Sequence, residues 1–231
     1  MQRVVISGAS RGIGRHLVDF YLERGALVAG CSRSAMKEFH TNYRHHVVDV
    51  TDIPSIKNMF ASIERDWKGL DVLINNAGIA AMNHALLTPP EEVERVFRTN
   101  VFSILSLCRE AAKLMRRDRF GRVVNFSTVA VPYNLEGESV YAASKAAVES
   151  LTRTLARELA PFGITVNAVG PTPVETDLIR NVPRDKLEAL IGRQAIKRMG
   201  TLEDVSNVVG FFTEPASAFV TGQVVYLGGV S

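Results

Sequence analysis

Cysteine is scarce in this chain, with only Cys31 and Cys108 among 231 residues. They fall in separate predicted elements with no metal-ligand residues beside them. That excludes a disulfide-stapled fold, offers no metal site, and leaves both as expected core residues in a reducing cytoplasm. Long apolar runs are also missing, so no segment reads as a membrane span. Met1-Gln-Arg leads straight into an apolar strand without the architecture of a secretory signal. Nor does one sign of charge dominate: 27 Lys and Arg face 24 Asp and Glu, scattered among one another, for a net charge of +3. The pI near 9.0 therefore does not argue for nucleic acid, and the basic cluster Met115-Arg-Arg-Asp-Arg119 reads as a solvated helix end.

What is present is alternation. Short β-rich runs at Arg3–Ser7, Ala26–Gly30, His46–Asp49, Leu70–Ile74, Gly121–Phe126, Ile164–Val169 and Gln223–Leu227 are separated by helical stretches. One helix runs from Gly14 to Arg24. A second is opened by Thr51-Asp-Ile-Pro, with Ile56, Phe60, Ile63 and Trp67 as its buried stripe. A long one starts at Thr88-Pro-Pro-Glu-Glu, with Val93, Phe97, Ile104, Cys108, Ala111 and Met115 on its apolar side. Another spans about Ser139–Ala160, and a short one begins near Leu202. The connection after Arg33 has room for one brief helix at most. The pattern predicts an α/β fold: a doubly wound, Rossmann-type parallel sheet with helices on both faces. No linker, repeat or low-complexity tract divides it, so residues 1–231 form one domain.

Chemistry concentrates in Tyr141-Ala-Ala-Ser-Lys145. Residues four apart share a helix face, so phenol and ammonium can act together. A fixed ammonium favours the phenolate, bringing a group that titrates near pH 10 within reach of neutral proton transfer. Near the N-terminus, Gly8, Gly12 and Gly14, with Ser10, Arg11 and Ile13 between them, mark a strand turning into a helix. There a bare backbone and unpaired N–H groups suit a pyrophosphate. At the end of the second strand, where a carboxylate would bind the NAD ribose, the chain reads Cys31-Ser32-Arg33. Arg33 and Arg11 can both pair with a 2′-phosphate, which favours NADP(H). Asn75-Asn-Ala-Gly78 and Ser127-Thr128 end strands at the sheet's C-terminal edge, where ligands bind in open α/β sheets. Asn100 falls on a helix's apolar stripe and needs a hydrogen-bonding partner, structural or catalytic.

In this order, the motifs resemble the short-chain dehydrogenase/reductase family over essentially the whole chain, and most nearly its 3-oxoacyl-carrier-protein reductases and similar NADPH ketoreductases. The resemblance implies roles. Tyr141 is the general acid or base, Lys145 lowers its pKa and holds the nicotinamide ribose, and Asn100 anchors a water in a proton relay. Asp49 and Val50 contact adenine. Asn76, Ala77 and Gly78 line the cofactor, as do Pro171, Val174 and Thr176 beyond strand six. Residues from about 176 to 200 form a substrate lid, and the helices carrying Asn100 and Tyr141 pair subunits into a homodimer or homotetramer.

Three features depart from the family pattern. The catalytic serine lies thirteen residues before the tyrosine in the family; here that position is Thr128, with Ser127 preceding it. Pro171-Thr172 stands where Pro-Gly is usual, and the connection after Arg33 is short. The expected activity is NADPH-dependent reduction of a ketone to a secondary alcohol. The substrate is a small carbonyl or alcohol, or an acyl thioester on a carrier. An NAD-dependent alcohol dehydrogenase and a catalytically silent dinucleotide-binding sensor are the rivals.

Overall fold

The computed structural model describes residues 1–37, 39–176, 179 and 182–230. Seven strands form one sheet: β1 (Arg3–Ser7), β2 (Leu27–Ser32), β3 (Tyr43–Val47), β4 (Val72–Asn75), β5 (Gly121–Phe126), β6 (Ile164–Gly170) and β7 (Val224–Tyr226). Their spatial order is β3-β2-β1-β4-β5-β6-β7, and every pairing is parallel. The chain order reverses between β1 and β4, which opens a crevice at the C-terminal ends of those strands.

The central strands are apolar on both faces because both are covered. Val5, Leu73, Val123 and Val166 point to one side, where Ile56, Ile104, Leu107 and Val148 pack on them. Those residues come from α2 (Ile53–Trp67), α4 (Ser103–Asp118) and α6 (Ser139–Leu159). Their strand neighbours Val4, Ile6, Val72 and Val124 point to the other side. There they meet Leu17 and Val18 of α1 (Gly12–Leu22) and Val205, Val209 and Phe212 of α8 (Leu202–Thr213). Burying each of these large side chains contributes roughly 1.5–3 kcal/mol. A capping box sets the start of α8: the Asp204 N–H donates to Thr201 Oγ1 at 3.2 Å while the Thr201 N–H donates to Asp204 Oδ2 at 2.8 Å.

Three sequence expectations shift. Strand three is Tyr43–Val47, not His46–Asp49, because the fully buried Tyr43 anchors the register opposite Val28. Asp49 and Val50 thus fall in the loop beyond it, and Val47 is exposed on the sheet edge. The β4 strand runs on to Asn75, which pairs with Ser7 and Asn125. The long helix is α3 (Pro90–Phe97) and α4 joined by a π-helical turn at Arg98–Phe102. That turn rotates the buried face, so Val96 is buried in α3 in place of the expected Val93. The described residues also include two further α-helices, α5 (Ala130–Tyr133) and α7 (Arg184–Arg193).

Candidate active site

Strand β1 ends at Ser7 and turns through Gly8, whose φ of 70° suits glycine. A Cβ at Gly14 would fall 2.2 Å from the Gly8 carbonyl oxygen, so α1 starts in direct contact with the turn. Asn76 closes the turn from β4: its Nδ2 donates to the carbonyls of Ser7 and Gly8, both at 3.1 Å. The Ala77 N–H donates to Ser7 Oγ at 3.1 Å. Arg11 offers α1 no side-chain cap, leaving first-turn N–H groups to face the crevice.

Two cavities meet here. One, of about 960 Å³, is lined by Gly8, Ser10, Arg11 and Gly12, by Arg33, Asp49 and Val50, and by Ala77. The other, of about 770 Å³, is lined by Thr128, Tyr141, Lys145, Pro171 and Val174. Ile13, Asn76, Gly78, Ile79 and Thr176 border both, which makes them a continuous trough. Its larger arm fits an adenosine diphosphate moiety: a glycine-lined turn at a helix start that itself carries Arg11, with Arg33 just beyond β2 and no acid ending that strand. Asp49 is held below the usual carboxylate range, chiefly by the Thr51 N–H and, further off, by Arg33. Gly14 and Asn100 line neither cavity; both lie buried behind it.

The smaller arm carries the reactive groups. Tyr141 and Lys145 are 9% and 5% exposed, and the ammonium lies 5.9 Å from the phenol ring centroid. Lys145 Nζ donates to the Phe126 carbonyl at 2.8 Å. Asn100, in the π-helical turn, accepts from the Ile79 N–H at 2.9 Å and donates through Nδ2 to the Ile79 carbonyl (2.9 Å) and Ser144 Oγ (3.0 Å). Both its N–H bonds are thereby committed, leaving only an Oδ1 lone pair for a water.

The adjacent hydroxyls, just beyond β5, differ in their partners. Ser127 and Thr128 both line the smaller cavity, but Ser127 Oγ is committed, donating to buried Glu149 at 2.5 Å. Thr128 shares that cavity wall with Tyr141, and its side chain works against the rise in the phenol's pKa. Its Oγ1 accepts from the Ala130 N–H at 3.2 Å, which leaves its proton to give.

Electrostatics correct one expectation. Tyr141 is not drawn down by Lys145; burial, with the Glu138 charge adding to it, pushes the phenol up to about 12, while Thr128 pulls the other way. Burial also pushes Lys145 down to about 8. Desolvation thus outweighs pairing at this site, because both groups are enclosed and the ammonium is not at contact distance.

Sequence reasoning missed Glu138 and Glu149, although both lie at helical spacing from Tyr141, three residues before and eight after. Glu138 lines the smaller arm, and burial raises its pKa. Thr172, the Pro-Gly departure, hydrogen-bonds the buried Gln194, which donates in turn to the Arg198 carbonyl at 3.0 Å. The expected lid includes residues 177, 178, 180 and 181, which lie outside the described residues. Its described part contributes Ile179, Val182 and α7 side chains to the cavity.

A family model described as enoyl-(acyl carrier protein) reductase matches residues 8–230. The chain belongs to the short-chain dehydrogenase/reductase family. Within that family it is 32% identical to the 3-oxoacyl-[acyl-carrier-protein] reductase FabG of Vibrio harveyi, covering 97% of this chain and 95% of that one. It is 34% identical to the enzyme of the same name from Pseudomonas aeruginosa, with the same coverage. Among solved structures it is similar to the aldohexose dehydrogenase of Thermoplasma acidophilum, with a TM-score of 0.90, 29% identity, and coverage of 99% of this chain and 93% of that one. It is equally similar in fold to ElxO with NADP bound, with a TM-score of 0.90, 26% identity, and coverage of 98% and 96%. The chain is accordingly a short-chain oxidoreductase acting between alcohol and carbonyl groups.

Proposed function

We propose that this chain reduces a ketone to a secondary alcohol with NADPH, and that a 3-oxoacyl thioester is its substrate class. The observation that carries the reading is the placing of Thr128 and Tyr141 on the wall of one cavity, with the neighbouring Ser127 hydroxyl already committed to Glu149. Two converging hydroxyls with protons to give are what a carbonyl oxygen needs as it gains charge. The 3-oxoacyl-carrier-protein reductases at 32–34% identity support the substrate class.

Gly8–Gly14 with Ser10 and Ile13, together with Asn76 and Gly78, would hold the dinucleotide; Asp49 and Val50 would take its adenine and Arg11 and Arg33 its 2′-phosphate. Pro171, Val174 and Thr176 would flank the nicotinamide. NADPH, when bound, supplies the hydride. Thr128 donates a hydrogen bond to the carbonyl oxygen and fixes its direction. Tyr141 gives that oxygen its proton, a task for which a phenol held protonated is suited. Lys145 orients the site through the Phe126 carbonyl and replenishes the proton. Asn100 holds Ile79 and Ser144 in place. Exposed Phe102 and Leu105 on the outer face of the α4 region support a homodimer or homotetramer.

The test is NADPH consumption over acetoacetyl thioesters, enoyl thioesters, cyclic ketones and keto-sugars, with Tyr141→Phe alongside. Turnover on the acetoacetyl thioester is expected, with kcat about a thousandfold lower in the variant, since positioned proton transfer contributes about 10²–10⁴. Turnover only of enoyl thioesters, or tight NADPH binding with no turnover anywhere, would overturn the reading; the latter is the behaviour of a sensor. Arg33→Ala should raise the KM for NADPH about tenfold, the size of one charge-assisted contact, and leave that for NADH unchanged. An enzyme that prefers NADH from the outset would be the alcohol dehydrogenase instead.

A further inference from the structure

Helix α6 grips the end of β5 twice. Lys145 holds the Phe126 carbonyl at 2.8 Å, and one turn further along Glu149 holds the Ser127 hydroxyl at 2.5 Å. Glu149 is 6% exposed, and its Oε1 also accepts from the Tyr226 hydroxyl of β7. Arg153, 3.9 Å away at the rim, is its one ion-pair partner among the described residues. Two groups that the sequence sets 22 and 77 residues from Glu149 thus converge on one of its carboxylate oxygens. The Ser127 N–H is held as well, donating to the Val169 carbonyl at 2.7 Å. The next residue, Thr128, lines the cavity that holds Tyr141.

We infer that Glu149, acting through Ser127 and braced by Tyr226, is a positioning residue that sets the direction of the Thr128 hydroxyl toward Tyr141. The reasoning is steric and directional. Ser127 and Thr128 share a planar peptide unit, so holding the Ser127 side chain and N–H limits the backbone rotations that would move the Thr128 hydroxyl within the cavity. A hydroxyl left unpinned at 127 frees that strand end to rotate, and misplacement by about an ångström at a reacting group costs rate rather than binding. Glu149 touches neither cavity; whatever it does for the reaction it does through the strand. The inference rests on Thr128 being the hydroxyl that meets the substrate.

The experiment has a kinetic arm and an arm that needs no substrate. In the first, kcat and KM are measured with NADPH and acetoacetyl-CoA for Glu149→Ala, Glu149→Gln, Ser127→Ala, Thr128→Val and the double variant Glu149→Ala/Thr128→Val. Glu149→Ala should lower kcat about tenfold with KM unchanged, the signature of lost orientation. Glu149→Gln keeps the Oε1 acceptor and should recover to within about threefold. The double variant should be no slower than Thr128→Val alone, because both changes remove the same interaction. In the second arm, the ligand-free chain is labelled at tyrosine Cζ and the Tyr141 resonance assigned by Tyr141→Phe. Thr128→Val should displace that resonance, Glu149→Ala and Ser127→Ala should displace it likewise, and Glu149→Gln should leave it in place. A purely structural role predicts a lower Tm in Glu149→Ala, effects that multiply in the double variant, and a Tyr141 resonance that moves only in Thr128→Val; that result overturns the inference. An inactive Ser127→Ala beside an active Thr128→Val would instead sink the assignment of Thr128, and this inference with it.

Discussion

One wall of the smaller cavity arm is α6 with the end of β5, where Tyr141, Ser144 and Lys145 are buried and both Ser144 and Lys145 are hydrogen-bonded. Across from it stands α7, in which no residue is buried although Lys186, Leu187 and Leu190 line the cavity. The first wall rests on the sheet and on Asn100 behind it; the second is joined to the body through Gln194, which ties Thr172 to Arg198. The contrast teaches where each task is placed. Proton transfer tolerates little displacement and is built on elements packed from behind. Substrate choice needs only a fitting surface and is carried by a helix that the core does not fix.

Removing Asn100 is the severest way to break that contrast. Asn100→Ala deletes three buried hydrogen bonds, and at about 1 kcal/mol each it should lower stability by roughly 3 kcal/mol. Thermal unfolding should show the loss, and kcat should fall with it because Ile79 and Ser144 lose their anchor.

Lys145 sharpens the comparison through pH. Its folded pKa, about 8 against an ordinary 10.5, is depressed by burial. The unfolded chain therefore holds the extra proton between those values, and the stability this group contributes rises with pH across the window and is lowest below pH 8. Lys145→Met removes the buried ammonium, so it should unfold later than the wild type at pH 7, by about 2 kcal/mol. That advantage should fade by about pH 10.5. The difference between the two urea-unfolding curves measures it, since the other buried titrating groups are common to both. An advantage that persists undiminished to pH 10.5 would show that packing, not charge, sets the effect.

The mildest change falls on the far wall. Leu187→Ala should leave Tm within about 0.5 kcal/mol equivalent, as for other substitutions outside the core. It should shift KM for long acyl thioesters severalfold without altering kcat. A loss of kcat comparable to that of Asn100→Ala would erase the distinction between the walls.

Much of this was legible in local sequence. The Arg3–Ser7 and Gly121–Phe126 strands stand where the apolar runs place them, because a strand buried on both faces announces itself by its own residues. Helical spacing paired Tyr141 with Lys145, and the glycine turn marked the crevice. Less legible were features that depend on distant partners. The register of β3 is set by Tyr43 in the core, the π-helical turn rotates α3 relative to α4, and the two hydroxyls of Ser127 and Thr128 are told apart by Glu149 on another element.

The sequence by itself determined the doubly wound class, the family motifs in their order, and the positions able to carry proton transfer, since periodicity and spacing are properties of neighbouring residues. Tertiary structure alone decided that Glu149 takes up the hydroxyls of both Ser127 and Tyr226, and how far burial drives Tyr141 and Lys145 from their ordinary titration. Desolvation and convergence are set by what the rest of the chain packs around a group, and no local pattern encodes them.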